Sequence, residues 1–167
     1  RTMTMTGNEQ FLNAKERLGK FVDATEKYIN SQHVGLTKIN PEVVNILNYD
    51  SALLHSLSSE QCLSAAYILF SYADYLQTLY NSNLVKLHWA TDAINRVISP
   101  MLKQYGDKFT KHEQKYYEAI QDNEFARSLN NIKTHATARV DMLTDKMRDV
   151  RRMGDVLIEL SKRKQYS

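Results

Sequence analysis

The chain of 167 residues contains one cysteine, two prolines and five glycines. A single cysteine cannot form an internal disulfide, so Cys62 is expected to be a free thiol in a reducing compartment. So few prolines and glycines, with 43% apolar residues, are atypical of a sheet protein with many turns and typical of amphipathic helices. The sequence therefore predicts an all-α fold in a single domain, 1–167.

Long apolar runs are also missing. The longest, 65–70, is far too short to cross a bilayer, and no basic segment followed by an apolar stretch of signal length opens the chain. We therefore expect an intracellular, cytoplasmic protein whose residues 1–8 are frayed and disordered.

The sequence lacks the usual patterns of catalytic and metal sites. It has no glycine-rich phosphate loop and no serine in a nucleophile elbow. Asp141, Asp145 and Asp149 share one helical face. Because Arg148 and Arg152 follow two of them by three residues, the face is predicted to be a solvated, charge-paired one. The histidines show none of the paired spacing of zinc or iron sites: His33, His55, His88, His112 and His135. We expect no enzyme activity, no metal and no cofactor.

The longest predicted element is a central helix at 58–99, which contains neither glycine nor proline. Ser58 and Gln61 have the spacing of a capping box, which predicts its start. Pro100 pushes Ser99 out of helical geometry, so the helix is expected to end near Ile98.

One face of this helix carries apolar residues at steps of three and four, which predicts a long buried stripe. Its members are Cys62, Ala66, Leu69, Ala73, Leu76, Tyr80, Leu84, Leu87, Thr91, Ile94 and Ile98. The polar residues Asn81, Ser82 and Asn83 interrupt its middle. We expect an undisturbed helix with solvent-facing amides there, and a kink or a polar layer is the alternative.

The N-terminal region, 9–57, is predicted to contain a first helix at 9–31 and a loop at 32–37. Asn40 before Pro41 is a strong helix start, which predicts a short helix over 41–48. Residues 49–57 are expected to link it to the central helix.

The C-terminal segment, 110–164, is predicted to be one long helix or two helices joined near Asp122 and Asn123. Thr110 and Glu113 repeat the capping-box pattern. A seam with an interval of seven runs through Leu129, Ala136, Leu143, Val150 and Leu157, with Ile132, Val140, Met147, Met153 and Leu160 at the alternate steps. The connection at 101–109 is short, so the segment is expected to pack antiparallel on the central helix. The predicted fold is a long, coiled-coil-like antiparallel helical hairpin with a shorter N-terminal helix packed on it.

Charge is unevenly distributed: residues 127–167 hold ten basic and five acidic side chains. Clustered cations with nearby aromatics are typical of non-specific single-strand binding. The candidate nucleic-acid contacts are Lys86, Trp89, Arg96, Lys146, Arg148, Arg151, Arg152, Lys162, Arg163, Lys164 and Tyr166. Two of these groups have a structural alternative. Lys162 to Lys164 also suit a helix C-terminus, and a lone tryptophan beside an apolar stripe is more often a core residue, which favours burial of Trp89.

Two stretches resemble the tailed-phage recombination mediator family (UvsY-like). They are AAYILFSYADYL at 65–76, followed by the polar segment and a second amphipathic run, and residues 143–163 with RRMG at 151–154. The resemblance does not extend to the portion through Tyr49. It implies a small helical protein, phage-encoded, that forms a ring-like homo-oligomer and binds single-stranded DNA. It also implies a role in loading a RecA-like recombinase onto strands coated by a single-strand binding protein.

A different class stays open beside this one. A helical structural or scaffold protein, such as a virion or assembly component without nucleic-acid binding, would have the same long apolar faces and a merely solubilising basic tail. A helical enzyme with its site between subunits is the third and least favoured possibility.

Overall fold

The computed structural model describes residues 16, 17, 19, 20, 23, 24 and 27, then 40–106 and 111–166. The chain divides into two compact units, Arg1–Leu36 and Thr37–Ser167. In the first unit the seven described residues are helical and exposed, in agreement with a helix at 9–31, and Lys20 pairs with Glu16 at 2.8 Å. The segments predicted as frayed, 1–8, and as a loop, 32–37, lie outside the described residues. The single domain stays a prediction.

The second unit confirms the all-α fold, since every element among its described residues is helical and none is a strand. The elements are α1 (Pro41–Leu47), α2 (Ser51–Ser56), α3 (Ser59–Ile98), a 3-10 helix (Ser99–Gln104), α4 (His112–Asp122) and α5 (Glu124–Gln165). The long helices α3 and α5 pack against each other as a hairpin.

Side-chain caps set the starts of the first three helices. Asn40 Oδ1 accepts from the Glu42 N–H at 3.0 Å to begin α1, as predicted. Ser58 and Gln61 form the predicted capping box of α3, with N···O distances of 3.1 and 2.8 Å. Asp50 caps α2 by accepting from the Leu53 N–H at 2.8 Å. Helix α2 was not predicted and lies in the predicted link at 49–57, although an aspartate is a favoured cap.

The far end of α3 also follows the prediction. The α-helix ends at Ile98, and the chain tightens into the 3-10 helix that contains Pro100. Gly106 comes directly after it with a φ of 104°, a left-handed conformation that residues with a Cβ rarely adopt. A glycine is therefore favoured at this position, directly after the 3-10 helix.

The C-terminal segment consists of two helices joined at Asn123, which decides between the two alternatives left by the sequence. Asn123 has extended backbone angles, φ −113° and ψ 113°, and its side chain accepts from the Ala126 N–H at 2.9 Å. An asparagine offers the backbone this alternative to helix continuation, so it ends α4 and caps α5 in one residue. The predicted cap Thr110 lies outside the described residues, and α4 begins after Lys111.

Three contacts show that α3 and α5 are antiparallel. At the start of α3 the Ser59 hydroxyl lies 2.7 Å from the Ser161 hydroxyl. Further along, Phe70 lies against Gly154, and Arg151 Nη2 donates to Gln77 Oε1 at 3.2 Å. Residue numbers rise on α3 as they fall on α5, which confirms the predicted hairpin.

The contact between the two helices has the heptad spacing predicted for α5. Leu129, Ala136, Leu143, Val150 and Leu157 are all buried. At the alternate positions, however, the buried residues near the C-terminus are Gly154 and Ser161, whereas their neighbours Met153 and Leu160 are half-buried. The sequence pattern predicted Met153 and Leu160 in the seam because they are large and apolar. The smaller Gly154 and Ser161 lie there instead, and their size lets the two helices approach closely.

The middle of the seam contains a buried amide. Asn83 is 4% exposed, while Asn81 and Ser82 face solvent. The helix is undisturbed, as expected, but the expectation that all three polar side chains face solvent is wrong for Asn83. Its Nδ2 donates to the Leu79 carbonyl at 2.8 Å, and its Oδ1 has no hydrogen-bond partner within the described part of the chain. Two small residues of the hairpin, Ala90 on α3 and Ala136 on α5, are also fully buried.

The buried apolar residues form two cores, one toward each end of the hairpin. The larger joins α1, the first half of α3 and the second half of α5, with Leu69, Leu76 and Leu157 fully buried. The smaller joins the end of α3 to α4 and the start of α5 around Ile94 and Ile98. Burial of one such leucine or isoleucine is worth about 1.5–3 kcal/mol.

Lys164 fastens the last turn of α5 to the end of α2. Its Nζ donates to the carbonyls of His55 and Leu57 at 2.8 and 2.7 Å. Carbonyls at a helix C-terminus have no intrahelical partner and carry partial negative charge, so a lysine here both satisfies and neutralises them.

Gly154→Ala should lower the free energy of unfolding by about 1 kcal/mol, measured by urea unfolding followed by circular dichroism. An added Cβ would lie 2.8 Å from the Phe70 ring, and overpacking of about 1–3 kcal/mol outweighs the gain of about 1 kcal/mol in helix propensity. The control is Gly19→Ala, whose methyl would meet nothing within 4 Å and which should not lower stability. An unchanged or raised stability for Gly154→Ala would contradict the close contact.

Lys164→Met should lower the free energy of unfolding by about 1–2 kcal/mol, because two carbonyls lose a charged donor. Lys162→Met is the matched control, since Lys162 only approaches the exposed Glu159 at 3.9 Å, and such surface pairs contribute little. Thermal and urea unfolding of both variants measure the difference. Equal stability of the two variants would show that Lys164 is not structural.

Candidate nucleic-acid interface

An open groove of about 650 Å³ follows the line where α3 meets the second half of α5. Three arginines, Arg148, Arg151 and Arg152, lie on its α5 side, within little more than one helical turn. Gln77 and Tyr80 lie on its α3 side. The remaining lining residues are Thr144, Met147 and Asp155.

The three arginines of this groove differ in their partners. Arg148 donates to Asp145 at 2.8 Å and approaches Asp149 at 3.9 Å, so two carboxylates already share its charge. Arg151 is half-buried and its guanidinium donates to Gln77 across the seam. Arg152 is exposed. Arg151 and Arg152 are therefore the cations best placed for an incoming anion, with Asp155 as the one acidic residue of the lining.

Chemically, the groove can hold a phosphate backbone beside an aromatic ring. A guanidinium presents its N–H groups in a fixed fork that matches two phosphate oxygens. The neutral Gln77 orients Arg151 without removing its charge, in contrast to the aspartates beside Arg148. Tyr80 is half-buried at the groove wall, so part of its ring is accessible.

The remaining basic residues of α5 fall outside this groove. Lys162 and Arg163 approach Glu159 at 3.9 and 3.8 Å, and all three side chains are more than half exposed. Lys164 is engaged by the α2 carbonyls. Tyr166, directly after α5, is 90% exposed. Lys146 is exposed on α5 but does not line the groove.

The three candidates on α3 form a separate group. Lys86 and Arg96 are exposed, and Trp89 is 57% exposed. The prediction that favoured a buried Trp89 is therefore wrong. Its exposure follows from helix geometry: the seam passes through Asn83, Ala90 and Ile94, and residue 89 lies on the other side of the helix. Trp89 and Arg96 lie about 18 and 28 Å along α3 from Gln77.

The structure thus divides the predicted contacts into a groove, a C-terminal end and the outer side of α3. Only the groove brings several of them together with a shared concave surface. Gln77 and Tyr80 were not predicted as part of it. The only sequence signal for Gln77 was its position on a flank of the apolar stripe, and Tyr80 was assigned to the stripe itself.

Two tyrosines with shifted pKa values lie away from the groove. Partial burial raises the pKa of Tyr105, and the nearby Asp122 carboxylate raises it further through its charge and a hydrogen bond. Burial, with a smaller contribution from Tyr117, raises the pKa of Tyr116. Both shifts favour the uncharged phenol, and neither tyrosine lines the groove.

Within the described ranges, no three or more His, Cys, Asp or Glu side chains are grouped so that they could hold a metal ion. In the same part of the chain, no helix is both long and apolar enough to cross a bilayer.

Comparison of the chain with protein-family models, with curated proteins and with solved structures finds no match. The resemblance to the recombination mediators therefore stays a prediction from the sequence, and the groove has to be interpreted from its own chemistry.

Proposed function

We propose that this chain is a non-enzymatic protein that binds single-stranded DNA in the arginine groove between α3 and α5. The observation that carries the proposal is the row of Arg148, Arg151 and Arg152 along an open concave surface. Cations one helical turn apart suit a polyanion that follows the helix, because each neutralised phosphate releases a counterion and adds affinity.

A single strand fits this groove better than a duplex. The bases of a single strand are free to contact an aromatic side chain, and such stacking is tolerant of sequence. Tyr80 lines the same groove as the arginines, so an aromatic ring is present beside the proposed phosphate contacts. We do not include Lys164 among the contacts, because its ammonium group is held by His55 and Leu57.

On the sequence resemblance, we further propose that the bound protein assists the loading of a RecA-like recombinase onto strands coated by a single-strand binding protein. This step needs no catalytic group on the chain, since a mediator acts by binding DNA and its partner proteins. A phage-encoded protein would act in the host cytoplasm.

The competing candidate is a structural or assembly protein that does not bind nucleic acid. The observation in its favour is the exposure of large apolar side chains on α3, among them Tyr67, Val85 and Trp89. These favour a protein partner, whereas the arginine groove favours an anion, so a binding measurement separates the two.

The affinity for a fluorescein-labelled oligothymidylate, measured by anisotropy, should fall steeply with salt. Arg151 and Arg152 as full phosphate contacts, with a smaller contribution from the carboxylate-paired Arg148, predict a slope between about −1.4 and −2.1 in a plot of log K against log salt, since each full contact contributes about −0.7 for a single strand. The variant Arg151→Gln with Arg152→Gln should reduce the slope by about 1.4 and the affinity at low salt by about tenfold. An unlabelled duplex should compete less well than an unlabelled single strand.

The matched control is Arg127→Gln, an exposed arginine at the other end of α5. It removes one positive charge without touching the groove and should change the slope by less than about 0.3. Absence of binding at low salt, or equal losses from the groove and control variants, would eliminate the groove as the DNA site.

The mediator role has its own measurement. The protein should shorten the lag in single-strand-dependent ATP hydrolysis by a RecA-like recombinase on DNA coated with a single-strand binding protein, and the doubly substituted groove variant should not. DNA binding without any effect on the lag would retain the groove and remove the mediator role.

A further inference from the structure

The middle of the outer side of α3, from Asp74 to Arg96, faces away from α5 and carries two large apolar side chains one turn apart. Val85 is 68% exposed and Trp89 is 57% exposed. Aromatic residues on such surfaces are enriched at protein interfaces, where they contribute much of the binding energy. Neither residue lines the arginine groove, so this surface is independent of the proposed DNA site.

We infer that this surface binds a second copy of the chain, α3 against α3, antiparallel and around a two-fold axis at Val85. In such a pair, residues equally distant from Val85 along the helix meet across the axis. A helix returns to the same face after four, seven and eleven residues. The residues four, seven and eleven positions before Val85 are Asn81, Thr78 and Asp74. The residues at the same distances after Val85 are Trp89, Asp92 and Arg96.

The outermost pair has opposite charges. Asp74 and Arg96 are eleven residues from Val85 on either side, so a two-fold axis places each Asp74 opposite the other copy's Arg96, twice. Both side chains are exposed, and neither makes an ion pair within the described part of the chain. A parallel arrangement would instead place like charges opposite each other, which favours the antiparallel pair.

The innermost pair matches a donor with an acceptor. Asn81 and Trp89 are each four residues from Val85, which brings an amide oxygen near an indole N–H. Thr78 and Asp92 are each seven residues away, but the Thr78 hydroxyl already donates to the Asp74 carbonyl at 3.2 Å, so this pair adds contact without a new hydrogen bond. Val85 meets itself on the axis. Charge, hydrogen bonding and apolar contact are therefore all self-complementary for one alignment.

The size of the surface predicts a weak dimer. From Asp74 to Arg96 the helix extends about 33 Å, and one helical face of this length buries less than the roughly 800 Å² per partner of a standard stable interface. We expect a dissociation constant in the micromolar range, about 1–50 μM.

Sedimentation velocity of the whole chain from about 1 to 100 μM should show a monomer that converts to a dimer. Trp89 is the only tryptophan, so its emission should shift to shorter wavelength over the same range as it becomes buried. Asp74→Arg should weaken the dimer at least tenfold, because it places two guanidinium groups opposite each other. The combination of Asp74→Arg with Arg96→Asp should restore the dimer to within about threefold.

The control is Asp141→Arg, the same charge reversal on the exposed surface of α5, which should leave the dimer unchanged. A chain that remains monomeric throughout, a dimer that tolerates Asp74→Arg, or a double variant that stays monomeric would each overturn the inference. Quenching of Trp89 by an oligothymidylate in the monomer would overturn it in favour of base stacking at this surface. Loss of DNA binding in the groove variants would leave the dimer in place, so the two proposals fail separately.

Discussion

The structure of residues 40–106 and 111–166 depends on the close contact between α3 and α5. Each helix alone has an apolar side that water disfavours, and neither could persist at this length without the other. The seam is made close by small residues, with Ala73, Ala90, Ala136 and Gly154 where bulkier side chains would separate the backbones. Dispersion and hydrophobic burial therefore act along the whole hairpin, and the short helices α1, α2 and α4 are secured at its two ends.

This contact also determines where the charges lie. Once one side of α5 is committed to the seam, its arginines and lysines must lie on the flanks or on the outer side. Arg148, Arg151 and Arg152 fall on the flank beside α3, where the seam edge forms the groove. A single helix would present the same arginines without Gln77 and Tyr80, so the hairpin supplies both the wall of the groove and the partner that orients Arg151.

Most of the fold could be predicted from the sequence because its signals are local. Capping residues and Pro100 determine helix ends within a residue or two, and the heptad interval identifies the buried side of α5. The burial of individual side chains on α3 depends on how α3 packs against α5, which the sequence pattern does not give. Asn83 is buried because the seam on α3 passes through its position whatever the side chain there. Trp89 is exposed for the same geometric reason. The candidate site was predictable only as a list of cations, since the groove depends on which residues of α3 lie opposite them.

A seam that repeats every seven residues has an inherent ambiguity, because two such rods could slide past each other by one repeat and still place apolar on apolar. The absence of a side chain at residue 154 disfavours such a slide by one repeat. The Phe70 ring occupies the space where a Cβ at Gly154 would be, and a slide of one repeat along α5 would bring that ring to Met147 or Ser161, where the space is filled. The lack of a Cβ at residue 154 thus favours one register of α3 against α5. It fixes one alignment of the two rods, and with it the meeting of Gln77 and Arg151.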